Sequence, residues 1–540
     1  MKDNINAKAT LTTIPENAFY NCSALTTMKF PAGLKTLKKF ALYNTSLTDI
    51  ELPYGFTTAE EEALTCKATR IVFPATTTSI HYKYDQFAYN NLLELVVNRK
   101  TPPTINGNAT QSFYTSSLPR VTGALYVPVG YVGSYTAAWS QFGVSADHAV
   151  KEGGYDFTNM SDGLKYTVTT AASGSSSGTC EMVYNPKVLN SKTSIIAGDG
   201  KQDQYGRTYN CTSIGESCFL GSTSLKTVYF TPTLKTISAF AFMNSSLSSC
   251  QQSSGSNPST GFIPTTVSYI GQYAFSGCKS LHELFLPHID RKNSITVGQA
   301  FFDNNASDFK LWVDYRRLGD FINTNYFNGS RVYPHLQLDS EWQTFSCVKD
   351  VDFNNTLVEA YVAASYSKPD NSVALNNVLR LPAGTGAVVH GQPNGTFYRL
   401  YYPSSTPAVA SIMESVTSGS TTVSSNNALS YFKLNSQTPT FSKITSSTAF
   451  YRGYAYLKLN TSTVGSNTTQ VWSNLSGMGG DSTPGDVNGD GEVTGSDVTA
   501  LYNYLLFNNS SAIVNGDQNG DGAITGSDVT AVYNILLGLN

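Results

Sequence analysis

The chain has 540 residues, 40% of them apolar and 14% charged, with a net charge of −3, enough length for about three or four domains rather than one. No dense basic patch supports nucleic-acid binding, and no apolar run approaches the roughly 18 residues of a membrane span. The eight cysteines contain no C-x-x-C pair for zinc or redox chemistry, and the start, "MKDNINAKATLTTIP", has no hydrophobic region of a signal peptide, so it reads as a trimmed or mature form.

From the N-terminus the chain repeats itself. "TTIPENAFYNCSALTTMKFP" at 12–31 is matched by "TSIGESCFLGSTSLKTVYFTP" at 212–232 and by "SYIGQYAFSGCKSLHELFLP" at 268–287. An aliphatic residue is followed five positions on by an aromatic or Leu, as in Ile14 and Phe19, Leu37 and Leu42, Ile214 and Phe219, Ile237 and Phe242, Ile270 and Phe275, and Val297 and Phe302. A short strand pattern L-x-x-Φ-x-Φ, with Φ apolar, comes next: Leu25, Met28, Phe30; Leu47, Ile50, Leu52; Leu225, Val228, Phe230; Leu281, Leu284, Leu286. Phe19 to Leu42 and Phe219 to Phe242 are each 23 positions apart, inside the range of about 20–29 residues of leucine-rich repeats. One such unit cannot cover its own apolar side, so the units must stack, with their strands forming a curved parallel sheet. Cys22, Cys66 and Cys278 share one slot of the unit and read as small core thiols.

The wording of these units resembles the BspA-type leucine-rich repeats of bacterial surface proteins. Two blocks are expected: 1–150, with irregular units around 60–89, and 151–335. "ALYVPVGYVGSYTAAWSQFG" at 124–143 looks like a strand-plus-helix cap of that family, and "FKLWVDYRRLGDFINT" at 309–324 like a second, degraded one. Between them, "YDFTNMSDGLKYTVTTAASGSSSGTCEMVYNP" at 155–186 alternates apolar and polar residues about a Ser/Gly turn, which predicts a hairpin sealing the start of block two. Its "GSSSG" matches a nucleophile elbow only formally, since that elbow needs a strand, a sharp turn and a helix.

In each repeat strand the residues flanking the central apolar position should face outward. Lys29, Glu51, Tyr229 and Phe285 are the ligand-binding candidates on this concave face, Tyr229 and Phe285 as exposed aromatics. Neighbouring aromatics packing on one another is the alternative.

Period-2 runs such as "LVEAYVAASY", "TFYRLYYP" and "YAYLKLN" then predict an all-β, sandwich-like domain over 336–475. A flexible linker follows at 476–484. The end of the chain says one acidic sentence twice: "GDVNGDGEVTGSDVTALYNYLL" at 485–506 and "GDQNGDGAITGSDVTAVYNILL" at 516–537. Residues 481–540 hold 8 acids and no base. Asp486, Asn488, Asp490 and Asp497 occupy positions 1, 3, 5 and 12 of a calcium loop, with the Glu492 carbonyl at position 7; Asp517, Asn519, Asp521, Ala523 and Asp528 repeat the pattern. Calcium takes oxygen ligands, and two ions are expected. Helices should follow both loops, on Val498, Leu501, Tyr502 and Leu505 and on Val529, Val532, Tyr533 and Leu536. This pair of loop-helix units with Asp at position 12 resembles the type I dockerin over 485–540, an all-α calcium-binding domain. The resemblance implies docking into a cohesin-like or other surface receptor through loop positions 10 and 11 and the exposed helix face: Gly495, Ser496, Thr499 and Asn503, mirrored by Gly526, Ser527, Thr530 and Asn534. Near-identical halves allow two docking orientations. The basic helix residues frequent in that family are absent.

Six scattered histidines show no ligand spacing, and no catalytic constellation stands out. The reading is therefore a mixed, multidomain protein, secreted or held at the cell surface, that binds and adheres without catalysis. Its repeats recognise an extracellular protein or glycan, and its tail tethers it. A glycan-binding or glycan-degrading subunit of a cohesin-dockerin-type complex is the alternative, and a tail that acts only as a stability clip is a third.

Overall fold

The computed structural model describes residues 11–81, 92–106, 121–142, 144, 150–173, 175–198, 200–252, 261–286, 295–323, 328–354, 356–393, 395–476, 485, 487–488, 493–507, 516, 518, 524–537 and 539. They form two compact units, Met1–Phe309 and Lys310–Asn540.

In the first unit the repeats stack through two parallel ladders. The aliphatic positions make one: Ile14, Leu37, Ala59, Ile80 and Ile105 stand opposite one another in strands of two or three residues. Ala59 and Leu64, five apart, fill the expected slots in the stretch that reads as irregular, and the ladder runs through it unbroken. The L-x-x-Φ-x-Φ pattern makes the other, from Asp49–Glu51 through Arg70–Phe73 and Leu92–Val97 to Val121–Val127, with Val150–Glu152 added at the end. Ile50, Ile71, Leu95 and Leu125 point inward into one core. Each buried Leu, Ile or Phe contributes roughly 1.5–3 kcal/mol that the isolated unit could not collect.

Between the two strands of six described repeats the backbone turns left-handed twice, four residues apart: Asn17 and Asn21, Phe40 and Asn44, Ser217 and Gly221, Phe240 and Asn244, Tyr273 and Gly277, Ala300 and Asn304; the unit after Ala59 does so once, at Glu62. This conformation costs a side-chain-bearing residue about 1–2 kcal/mol, least for Asn and nothing for Gly, which explains Asn or Gly at every second site. The turn aims three N–H groups at the next repeat: Asn17, Phe19 and Asn21 donate to the Lys39, Ala41 and Tyr43 carbonyls, and Phe240, Phe242 and Asn244 to those of Gln272, Ala274 and Ser276. Phe219, Phe242 and Phe275 consequently stack, centroids 5.7 and 5.2 Å apart. Cys66 and Cys278 are buried as expected; Cys22 is exposed, because its repeat ends the described stack.

The cap forms as strand Val121–Val127, helix Val132–Ala138 and a short turn of 3-10 helix. Trp139 and Tyr135 anchor it by donating to the Pro103 and Arg99 carbonyls. The predicted hairpin pairs Lys165–Thr170 antiparallel with Gly178–Met182, and Ser173 and Ser176 bridge at its turn. Gly178–Met182 then runs parallel to Thr208–Ile214, the first strand of the second ladder stack.

In the second unit the stretch from Lys310 gives strand Lys310–Asp314, 3-10 turn Tyr315–Arg317 and helix Leu318–Ile322. Beyond it a nine-strand path begins at Trp342–Phe345 and ends at Met413–Ser415, with one parallel pair, Ser372–Asn377 beside Gln470–Ser476. Val373, Leu375, Val388, Phe432, Phe441 and Leu457 form its core. A smaller antiparallel pair, Ser420–Val423 with Thr448–Tyr451, packs through Val416, Ile444 and Phe450. The tail carries helices Gly495–Phe507 and Gly526–Leu536.

Candidate functional site

The twin acidic loops come first. Asp497 and Asp528, at position 12 of each, are fully buried. The Asp497 carboxylate accepts from Val487 N (2.8 Å), Asn488 N (3.0 Å) and Thr494 N (2.8 Å). Asp528 accepts from Gln518 N and Thr525 N, both at 2.8 Å. Each carboxylate thus caps its helix and draws its loop inward. Residues 481–540 contain no Lys or Arg to balance these buried charges, and a carboxylate oxygen retains lone pairs after accepting one bond. That donor set suits a hard divalent cation. Asp486, Asp490, Glu492, Asp517, Asn519, Asp521 and Ala523 lie outside the described residues, and the described ones alone make no metal-binding group of three.

The halves are tied together by Gly485 N donating to the Gln518 side chain at 2.7 Å. Gly485 is left-handed (φ +103°), and a Cβ there would meet Val493 and Ile535. Val487, Val498, Ala500, Leu501, Val529 and Val532 make the small core. The helical stripes are only half used: Tyr502, Leu505, Tyr533 and Leu536, expected to pack, are exposed, as are Leu506 and Leu537. Two helices of 13 and 11 residues share too little length to cover them. The predicted contact residues lie on the same pair of helices, Gly495, Ser496, Thr499, Gly526, Ser527 and Thr530 exposed and Asn503 and Asn534 half-buried.

The repeat faces differ from expectation. The outer face of the first block's sheet is covered by the segment that links the blocks. Tyr155 is fully buried among Val72, Val96, Ala124 and Tyr126, with Val183 beside it. Its hydroxyl donates to Glu94 at 2.9 Å and accepts from Arg70 at 3.1 Å. Arg70 also pairs with Asp49 and Glu51, and Lys187 reaches Glu94 at 2.6 Å. Asp156 accepts from Ala75 N at 2.6 Å and from Val168 N at 2.7 Å, and burial pushes its carboxyl up to about 6. Burial also lowers the Lys165 ammonium to about 8. At Glu94 the raising effect of burial is outweighed by the bonds from Lys187 and Tyr155, so its carboxyl lies below the ordinary range.

Two candidates are corrected accordingly. Glu51 does not face solvent; Arg70 and Thr158 take its oxygens, and 7% of it is exposed. Phe285 is 1% exposed, because Phe262 stacks on it with centroids 4.8 Å apart. Lys29 is exposed. Tyr229 is half-buried in an open row, opposite Ile196 on one side and Gln251 on the other; Ile196 is 52% exposed. The next row is Ser194, Thr227 and Ser249. Ile196 has no place in an L-x-x-Φ-x-Φ unit and gave no sequence signal. These six residues form an uncharged face.

Residues 2–118 and 206–333 match the model of the BspA type leucine rich repeat region, in six copies, and residues 484–537 match the dockerin type I domain. No curated protein matches the chain. Among solved structures, a leucine rich cell surface protein from Faecalibacterium prausnitzii A2-165 is 16% identical, over 57% of this chain and 71% of that one, with a TM-score of 0.22. The pneumococcal vaccine antigen PcpA is 15% identical, over 60% and 84%, at 0.21. A leucine-rich repeat protein from Bacteroides ovatus ATCC 8483 is 15% identical, over 61% and 82%, at 0.19. The family-model matches carry the assignment: the chain has BspA-type leucine-rich repeats and a C-terminal type I dockerin domain. Both are non-catalytic binding modules, and type I dockerins bind calcium and cohesins. Among the described residues no helix is long and apolar enough to cross a membrane.

Proposed function

We propose that this chain, built of BspA-type repeats and a type I dockerin, is an extracellular or surface-held binding protein that adheres through its repeats and is tethered through its tail. The observation that carries the reading is the pairing of two binding modules in one polypeptide. Ligand recognition falls to the row of the second block, Ile196, Tyr229 and Gln251, with the exposed Lys29 of the first. The tail holds two calcium ions, one on Asp486, Asn488, Asp490, the Glu492 carbonyl and Asp497, the other on Asp517, Asn519, Asp521, the Ala523 carbonyl and Asp528. Each loop brings together three ligand carboxylates, a repulsion that a divalent ion removes. The ions order the helices that present Ser496, Thr499 and Asn503, or Ser527, Thr530 and Asn534, to a cohesin-like receptor. Tyr502, Leu505 and Leu506 have counterparts 31 positions on in Tyr533, Leu536 and Leu537. These matched exposed apolar residues support docking in either orientation.

Hydrogen-exchange mass spectrometry of the full chain tests the tether. Calcium should slow exchange in peptides from 485–537 by at least ~100-fold relative to chelator, since the metal supplies most of this small domain's folding energy. Equal exchange with and without calcium would remove the metal from the reading. The receptor is tested by a calcium-dependent pull-down from native envelope, which the double variant Ser496→Ala, Ser527→Ala should abolish. Unchanged capture would leave the tail without this contact.

A further inference from the structure

The nine-strand body carries a cleft of about 350 Å³, with Asp339, Trp342, Gln343, Lys433, Tyr451 and Tyr454 in its lining. Its volume is at the lower end of the roughly 300–1,000 Å³ of small-molecule sites. The cleft is built on a buried ion network. Arg316, 5% exposed, forks onto the fully buried Asp314 at 2.8 and 3.0 Å. Its remaining nitrogen, Nη1, donates to Asp339 at 2.9 Å and to the Tyr454 hydroxyl at 3.1 Å. Asp339 and Tyr454 both line the cleft, so the arginine sets two of its polar groups from beneath. Gln343, also in the lining, is fixed at both ends of its amide: its oxygen accepts from Asp339 N at 3.0 Å, and its nitrogen donates to the Tyr315 hydroxyl at 3.1 Å.

The turn 451–454 is held just as firmly. Arg452 grips Asp320 through two bonds of 2.6 and 2.8 Å, a bidentate pair that fixes orientation as well as position. Gly453 is left-handed (φ +90°), and a Cβ there would stand 2.2 Å from the Arg316 Cγ, so only glycine lets the turn sit on the arginine. Beside it Tyr451 is 54% exposed at the cleft, on the strand paired with Ser420–Val423. A large aromatic ring is thus held open to solvent on a rigid turn, above hydrogen-bonding groups locked in place.

From this arrangement we infer that the cleft binds a neutral sugar residue of a glycan chain. A pyranose offers a ring face of C–H groups and a rim of hydroxyls that both donate and accept. Tyr451 supplies a platform for the first. Asp339 accepts from the second, Lys433 donates, and the Tyr454 hydroxyl, having accepted from Arg316, keeps its proton to give. The two acids, Asp314 and Asp339, cancel the two bases, Arg316 and Lys433, so the site favours neither an anion nor a cation. An apolar ligand would use none of the hydrogen-bonding capacity that Asp339, Lys433 and the Tyr454 proton retain. Hydrolysis by paired carboxylates requires a second acid about 5–9.5 Å away, and Asp339 is the one carboxylate in the lining. Fixing the groups in advance spares the cost of ordering them on binding.

Native affinity electrophoresis of the full chain tests the inference, in gels cast separately with galactomannan, xyloglucan, mixed-linkage β-glucan and, as an anionic comparison, polygalacturonate. At least one neutral polymer should retard the protein. Tyr451→Ala and Asp339→Asn should each weaken that retardation at least tenfold, and the exposed Lys433→Ala, which leaves the core untouched, should weaken it as well. Leu357→Ala, at an exposed residue of the second unit outside the cleft lining, should migrate as wild type. Free migration in every neutral gel, retardation by polygalacturonate alone, or cleft variants that run like wild type would each overturn it, as would binding confined to protein ligands.

Discussion

The two repeat blocks are written in one unit and end with different surfaces. In the first, the outward residues Arg70, Val72, Glu94 and Val96 are roofed by the chain between the blocks, which inserts Tyr155 and closes charges around it. In the second, Ile196 is exposed and Tyr229 and Gln251 are half-buried. Stacking supplies a platform wherever the unit recurs. Whether that platform is free to bind anything depends on what else the chain lays across it.

The contrast can be broken at its centre. Tyr155→Ala removes a fully buried ring and its hydrogen bonds to Glu94 and Arg70, so unit one should lose about 3–5 kcal/mol of stability. Chemical denaturation would read it, and a loss below about 1 kcal/mol would mean the roof is only laid on the face. A smaller effect belongs to Asp156. Its folded carboxyl titrates near 6, above the ordinary 3.8, so the folded form holds the proton over a window in which the unfolded chain has lost it. Stability should therefore fall as pH rises from about 4 to about 6, by at most ~3 kcal/mol. Asp156→Asn should flatten that part of the melting-temperature profile relative to wild type; parallel profiles would contradict the assignment. The smallest effect is expected on the open side. Tyr229→Ala should change stability by no more than about 0.5 kcal/mol while abolishing capture of the repeat ligand. If it destabilises as Tyr155→Ala does, the second face is closed too.

Much of this was legible in residue spacing. The alternation of Ile14 and Phe19 or Ile237 and Phe242 marks strand and turn because each slot makes the same contacts with its neighbour. Asn or Gly at every second left-handed position is readable for the same steric reason. The third unit hid only because Ala59 is a small occupant of a slot that elsewhere holds Ile or Leu, and Glu62 gives no sign that its backbone is left-handed. The acidic loops declared their chemistry through alternate oxygens. Their helices were less transparent: Tyr502 and Tyr533 follow the apolar period yet stay outside a core of six buried residues, since helical spacing does not tell how far a partner helix extends.

Sequence alone determined the repeat period and the paired loops, because each rests on contacts between residues close in the chain or on identical neighbours. Only the tertiary structure decided which faces remain available. Tyr155 meets Arg70 across 85 positions, and Arg316 meets Tyr454 across 138. No local pattern encodes such meetings, which follow from how separate segments share out the burial of apolar surface and charge.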